Sequence, residues 1–426
     1  MRIRKSGSPR VDPVPAAGIA ERYLAVRRAT MALARPLSAE DCALQSMPDA
    51  SPAKWHLAHT TWFFETFVLA GRAPAFDPAY RVLFNSYYES VGEKHPRAER
   101  GMLSRPGLEE VLAYRRHVDE AMPELLAREP DATLAAVIEL GLHHEQQHQE
   151  LILTDIKHLF SRNPAKPAYQ KQWPLTPIRA RKARWLPFAG GLCEIGHAGP
   201  GFAFDNEGPR HRVWLEPYEI ASHPVTHGDF LDFIDDGGYR RPELWLSAGW
   251  DAVRARGWQA PEYWERIGSE WHTFTLHGRV AIDRNTPICH VSFFEAEAYA
   301  RWAKARLPTE AEWEVAASGL PLGGNFLESG ALHPLALRED PAPAAPAQAF
   351  GDVWEWTRSD YAPYPGYRPP PGAIGEYNGK FMCGQYVLRG GSCATPADHV
   401  RASYRNFFYP DARWQWSGIR LARDGA

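Results

Sequence analysis

Within HHEQQHQEL, residues 143 to 151, His144 and His148 lie four apart with Glu145 after the first. On a helix that spacing stacks two side chains on one face about 5–6 Å apart, so both imidazoles can chelate a single cation. A third imidazole, His59, sits in the apolar run KWHLAHTTWFFE with Trp55 and His56. Facing helices of a bundle commonly build metal sites from such side chains. H-E-x-x-H is also the signature of zinc proteases, but the continuation does not fit. The metzincin glycine position is Leu151 and its last histidine position is Thr154; a gluzincin would need a further carboxylate, and after Asp155 no glutamate follows before Glu194. Three neutral imidazoles, His59, His144 and His148, remain as candidate ligands with positions left open for reactants. By ligand type alone the ion is Fe, Zn, Cu or Ni. His56 and His143 read as neighbours of ligands that face away, and His158, His223, His227, His290 and His399 are given no ligand role.

The elements that must position these residues are legible from periodicity. From about residue 17 to 160 four long amphipathic segments, the second containing His59 and the fourth His144 and His148, predict a helix bundle. Between the second and third lies YRVLFNSYYESVGEKHPRAERGMLSRPG, too long and too aromatic for a simple turn, and long ordered connections of this sort are usually functional. Four prolines and seven Lys or Arg in residues 162 to 185 mark a linker. The expected division is 1–165 for the bundle, 166–185 for the link and 186–426 for a second, α+β unit of short strands and turns. Two helices in that unit announce themselves by capping boxes, Ser292 with Glu295 and Thr309 with Glu312. PAPAAPAQA, 341 to 349, reads as a surface loop.

A chain of 426 residues with 44% hydrophobic and 23% charged residues is globular, and a net charge of -3 without basic blocks argues against a nucleic-acid partner. Five scattered cysteines make no disulfide framework and no C-x-x-C zinc site. The start MRIRKSGSPR lacks an apolar signal core and no run is long enough to span a membrane, so a soluble protein in a reducing cytoplasm is expected. Sixteen tryptophans, most beyond residue 180, imply a second half that packs irregular chain around large rings.

LAHTTWFFE followed by HEQQHQE resembles the iron-binding, DinB-like four-helix bundle of the ergothioneine-pathway sulfoxide synthases. RLPTEAEWEVAA, GDVWEWT, RGGSC and GIRLARD resemble the formylglycine-generating-enzyme fold, a C-type-lectin-like domain. The resemblance runs from about residue 20 to 424. It implies an Fe(II), O2-dependent, non-haem enzyme that joins the sulfur of cysteine to C2 of the imidazole of hercynine (Nα-trimethylhistidine), leaving a sulfoxide. Its near relative, selenoneine synthase, joins a selenosugar to hercynine instead. Proteins with either fold but no such activity, binding only a metal or a ligand, form a third class.

The resemblance places the iron ligands on His59, His144 and His148, and a glutamine that reaches the substrate imidazole on Gln147. Tyr87 and Tyr88 match active-site tyrosines, and a phenol with a pKa near 10 can give and recover a proton or yield an electron. Arg97 and Arg100, in HPRAERG, match an Arg-x-x-Arg element that holds the thiol substrate's carboxylate, for which a guanidinium fork is suited. Asn406, Phe407 and Phe408 fall in a loop that contacts substrate, and aromatic faces there suit a quaternary ammonium, which has no hydrogen to donate. Formylglycine-generating enzymes hold copper with two cysteines; here Cys393 has no partner in RASYRN, which disfavours that chemistry.

Overall fold

The computed structural model describes residues 18 to 425 apart from 129, 176–177, 179–181 and 339–343. The expected linker and the PAPAAPAQA loop therefore fall partly outside the described residues. Six helices form the first part: α1 (Ile19–Ala34), α2 (Ala39–Ala43), α3 (Ala53–Phe64), α4 (Tyr80–Leu83), α5 (Leu108–Ala127) and α6 (Ala132–Arg162). The four long ones are those expected from periodicity. All twelve residues of α3 are buried, so this helix is enclosed by α1, α5 and α6 rather than amphipathic. At 31 residues α6 is about 46 Å long. It starts where Asp131 accepts a hydrogen bond from the Leu134 amide at 2.9 Å, satisfying one of the free N–H groups of the first turn.

Strands begin at Trp185. One sheet is β1 (Trp185–Phe188), β4 (Tyr218–Ala221) and β12 (Ala422–Asp424), which ties the C-terminus back to the start of this part. A second has the order β10 (Asn406–Phe408), β9 (Tyr386–Arg389), β8 (Trp354–Asp360), β11 (Ser417–Gly418). A hairpin of β2 (Gly191–Ile195) with β3 (His211–Leu215) and a meander of β5 (Trp264–Ile267), β6 (Glu270–Thr275) and β7 (Gly278–Ala281) complete the strands among the described residues. Between them lie α7 (His227–Asp235), α8 (Ser247–Arg256), α9 (Phe293–Trp302) and α10 (Glu310–Ala317). Both expected capping boxes are present, at Ser292 with Glu295 and Thr309 with Glu312.

The motifs of this half act mainly in its framework. Arg420 grips Glu355 through two bonds of 2.7 Å, both side chains being fully buried. Arg389 and Arg405 converge on Glu310 at 3.0 and 2.9 Å, and Arg389 also reaches Glu314 at 3.0 Å. Each charge is matched by a fork–carboxylate pair, the arrangement that makes burial of such groups tolerable. Trp313, Trp354, Trp356 and Trp416 fill the space around them.

The two halves share one apolar core, and α6 is the element they have in common. One stripe of α6, His144 and His148, faces α3. The adjacent stripe, His143, Gln146, Gln147 and Glu150, meets residues 392–404 of the second half. Glu150 shows how firmly: its carboxylate accepts from Trp354 Nε1 at 2.9 Å and from Ser392 Oγ and Thr395 Oγ1 at 2.6 Å each.

Candidate active site

His59, His144 and His148 converge: one ligand atom from each lies within 4.8 Å of the others, and all three side chains are buried. The reason His59 points there lies in the insertion after α3. The last carbonyls of α4 lack helical partners, and side chains of α3 donate to them: Trp62 Nε1 to Arg81 O at 3.2 Å, Trp55 Nε1 to Leu83 O at 3.1 Å, and His59 Nδ1 to Phe84 O at 2.6 Å. Stacking of the His59 ring between Trp55, at 4.6 Å, and Trp62, at 5.6 Å, fixes its plane.

The protonation of two ligands follows from these partners. His59 spends its Nδ1 hydrogen on Phe84, which leaves a lone pair on Nε2. For His148 the chain is longer. Asp155 lies 2.9 Å from His56 Nε2 and must be met by an N–H there, so His56 Nδ1 carries the lone pair that faces His148 Nδ1 at 2.8 Å. His148 therefore donates from Nδ1, and its Nε2 is free. His144 Nε2 stands 3.1 Å from His59 Nε2, while its Nδ1 has no partner. A separation near 3 Å is what two imidazoles adopt on one ion at metal–nitrogen distances of about 2.0–2.1 Å. Burial keeps all three rings neutral, pushing His59 and His148 well below the usual histidine range and His144 down to about 3. The donor set thus fits a divalent transition-metal ion.

Glu145 has no part in this. Burial raises its carboxyl, but Arg115 and Arg27 outweigh that and bring it down to about 2. Arg27 Nη1 meets it at 3.0 Å and Arg115 on the other oxygen, on the side of α6 facing α1 and α5. The glutamate that serves a zinc protease as general base is here locked in an ion triad.

Around the three histidines are four phenols. Tyr88 packs on Trp62 at 5.5 Å and on Tyr87 at 4.6 Å; it is fully buried, its hydroxyl has no partner, and burial raises both tyrosines above the ordinary value. Tyr377 and Tyr404 were not singled out from sequence. Tyr377 stands edge-on to His144 at 5.7 Å and 6.1 Å from Tyr87. It donates to Gln147 Oε1, while Gln147 Nε2 donates to Tyr404 Oη at 2.8 Å. Gln147 is therefore beside the ligands, as expected, with its amide held at both ends.

The remaining expected residues divide. Arg100 is buried against the face of Trp55 opposite His59, its guanidinium carbon 3.4 Å from the ring centre. It donates to Ser51 Oγ at 2.9 Å and Ser86 Oγ at 3.0 Å, its Nε has no partner, and burial lowers it to about 9. Arg97, three residues earlier, is exposed and bonds the Asp49 carbonyl. Asn406, Phe407 and Phe408 form β10 and are half-buried. Asn406 Oδ1 accepts from the Phe407 amide at 2.9 Å; Phe407 stacks on Tyr361 at 4.0 Å and reaches the site only through Phe381, which meets Tyr87 at 5.3 Å. Phe408 packs on Trp414. Instead Phe204, stacked on Tyr377 at 5.5 Å, supplies an aromatic face beside Gln147. A cleft of about 770 Å³ is lined by His143, Phe202 and Arg401 but by none of the three ligands.

Residues 22–152 match the DinB superfamily, and residues 179–341 and 341–425 match the sulfatase-modifying factor enzyme 1-like domain. The fold is therefore a DinB-type helix bundle joined to a formylglycine-generating-enzyme-like domain. A hercynine oxygenase of Mycolicibacterium thermoresistibile is 35% identical over 412 residues, 88% of each chain. That of Mycobacterium tuberculosis is also 35% identical, over 88% of this chain and 92% of its own.

The chain belongs to the hercynine oxygenase family.

A formylglycine-generating enzyme of Streptomyces coelicolor is 30% identical over 55% of this chain, a share too small to include the whole bundle. Membership of the hercynine oxygenases is carried by the two parts in this order. Cys393 is buried, and burial pushes its thiol well above the ordinary value, so it is not poised as a thiolate. Among the described residues no helix is long and apolar enough to cross a membrane.

Proposed function

We propose that this family member is an iron-dependent sulfoxide synthase of ergothioneine formation, an oxygenase that joins cysteine to hercynine. The overall balance is thiol plus imidazole C2–H plus O2 giving sulfoxide plus water: the C–S and S–O bonds form, and the S–H and C2–H hydrogens end in water. The observation that carries the reading is the convergence of three neutral imidazoles, two with their second nitrogen already committed, in a chain of this family. His59, His144 and His148 would hold Fe(II), which when bound supplies the one-electron chemistry that lets O2 react with a thiol.

The chain's own residues do the rest. The Gln147 amide, fixed at both ends, faces the imidazole of hercynine. Phe204 and Tyr377 offer ring faces to its trimethylammonium, a cation that cannot be hydrogen-bonded. Arg100, with a buried and unpartnered Nε, takes the carboxylate of cysteine; Arg97 faces elsewhere and is not needed for that task. Burial holds the hydrogen on Tyr88 Oη at neutral pH, so this phenol is a proton donor rather than a base. Tyr87 orients it by ring contact. In this reading residues 1–165 supply the metal ligands, 186–426 close the site over them, and 166–185 join the two.

Incubating the iron-loaded chain with hercynine, cysteine and O2, then weighing the products, tests the reading. The expected product is the sulfoxide bonded at C2, with O2 uptake that depends on hercynine; no C2 adduct with cysteine or with a selenosugar refutes it.

A further inference from the structure

The amide of Gln147 has two ends of the same shape and opposite polarity, so something must decide which end faces Tyr377. The deciding groups come from the second half of the chain, more than 250 residues away. Gln147 Nε2 donates to Tyr404 Oη at 2.8 Å, and Tyr404 Oη lies 3.0 Å from His399 Nε2. His399 Nδ1 in turn lies 2.9 Å from His143 Nδ1. Tyr404 and His399 are buried, the phenol edge-on to the imidazole at 5.0 Å. Having accepted from Gln147, Tyr404 has one hydrogen left, and His399 Nε2 is its acceptor. His399 then carries its own hydrogen on Nδ1 and gives it to His143. Burial keeps His399 neutral, which this arrangement requires. Every donor in the row has one acceptor, and the row ends with Gln147 Oε1 turned to Tyr377. A flipped amide would set an N–H of Gln147 against Tyr377 and its oxygen against Tyr404, and the whole row would have to reverse.

We propose that Tyr404 and His399 are positioning residues for the hercynine subsite: they set the direction of the Gln147 amide, and so which polar group the substrate imidazole meets. This inference rests on the functional reading above. It assigns a task in recognition to the docking of residues 392–404 on α6, where Gln146 also meets Asp398 at 2.5 Å and Glu150 meets Ser392 and Thr395. Those neighbours hold the surfaces together; the Tyr404–His399 pair touches the amide row alone.

The test is equilibrium binding to the iron-loaded enzyme without O2, with hercynine and cysteine titrated separately. Tyr404→Phe keeps the ring and removes the hydroxyl; His399→Phe removes both nitrogens; His399→Gln keeps one donor and one acceptor. The expected result is hercynine binding weakened about ten-fold in the first two variants, the size of one lost hydrogen bond. Cysteine binding and iron content should be unchanged, and His399→Gln should recover hercynine affinity to within about three-fold of the parent. Under turnover the loss should appear in KM for hercynine more than in kcat. Parent-like hercynine binding by Tyr404→Phe overturns the inference, and so does an equal loss for both substrates, which would mean general damage. A parent enzyme that binds no hercynine overturns the functional reading together with this one.

Discussion

Replacing His56 by Phe tests whether the ligand set is held by the partners described above. His56 is buried, touches no reactant, and is the only partner of His148 Nδ1. The phenyl ring keeps the volume but removes the acceptor at 2.8 Å, so His148 loses the bond that fixes both its rotation and its tautomer. One such bond is worth roughly 1–2 kcal/mol. Removing the outer partner of a metal-bound histidine typically lowers metal affinity 10–100-fold, about 1.4–2.7 kcal/mol. The two routes agree on a loss of about 30-fold in Fe(II) affinity. The variant also leaves Asp155 with the Ser51 amide, at 2.8 Å, as its remaining described partner, so some stability is lost as well. The assay is anaerobic competition for Fe(II) against a chromogenic chelator, with His158→Phe as the control. His158 lies three residues beyond Asp155 on the same helix and bonds Ser46 at 2.7 Å instead of a ligand. It should bind iron within two-fold of the parent. Parent-like affinity in His56→Phe would refute the relay from Asp155 to His148.

Glu145→Gln should destabilise the chain by about 3–5 kcal/mol in chemical denaturation, because Arg27 and Arg115 remain buried without their shared carboxylate; no loss would show that the triad is not what holds α6 to α1 and α5. Arg100→Ala should raise KM for cysteine with hercynine binding intact while Arg97→Ala leaves both unchanged, and the reverse pattern in steady-state kinetics would reassign the carboxylate site. Stability should also fall in acid for a reason the buried histidines supply. Burial holds His290, His333 and His399 well below the ordinary histidine value, so below about pH 6.5 the unfolded chain binds protons that the folded one refuses. Each such group removes up to about 1.4 kcal/mol per pH unit as pH drops. Urea midpoints that stay level from pH 6.5 to 5 would contradict this.

Sequence exposed the ligands because helical spacing is a strong signal: four residues between His144 and His148, and an apolar helix interrupted by His59, leave few other arrangements. It also identified Gln147, which lies one residue before a ligand on that same helix. Tyr377, Tyr404 and His399 gave no such signal. They stand in a turn, a short loop and a single 3₁₀ turn, where no periodicity assigns a face, and their meaning comes from the docking of the second half on α6. Arg97 and Arg100 looked equivalent as a pair, yet only Arg100 finds a buried aromatic face to lie on. The strand β10 explains Asn406: its side chain turns back to the next amide, an option open to any asparagine and invisible in a motif. The large C-terminal motifs were legible as a fold signature for a physical reason, since Glu310, Glu355, Arg389, Arg405 and Arg420 are the buried charges that framework cannot lose.

The central claim is that three imidazoles from α3 and α6 hold one iron. X-ray absorption at the iron edge of the Fe(II)-loaded chain measures this directly. The account predicts three imidazole nitrogens at about 2.1 Å, reduced in His144→Ala along with the bound iron while the fold persists. A spectrum with sulfur at about 2.3 Å, or with fewer than two imidazoles, would contradict it.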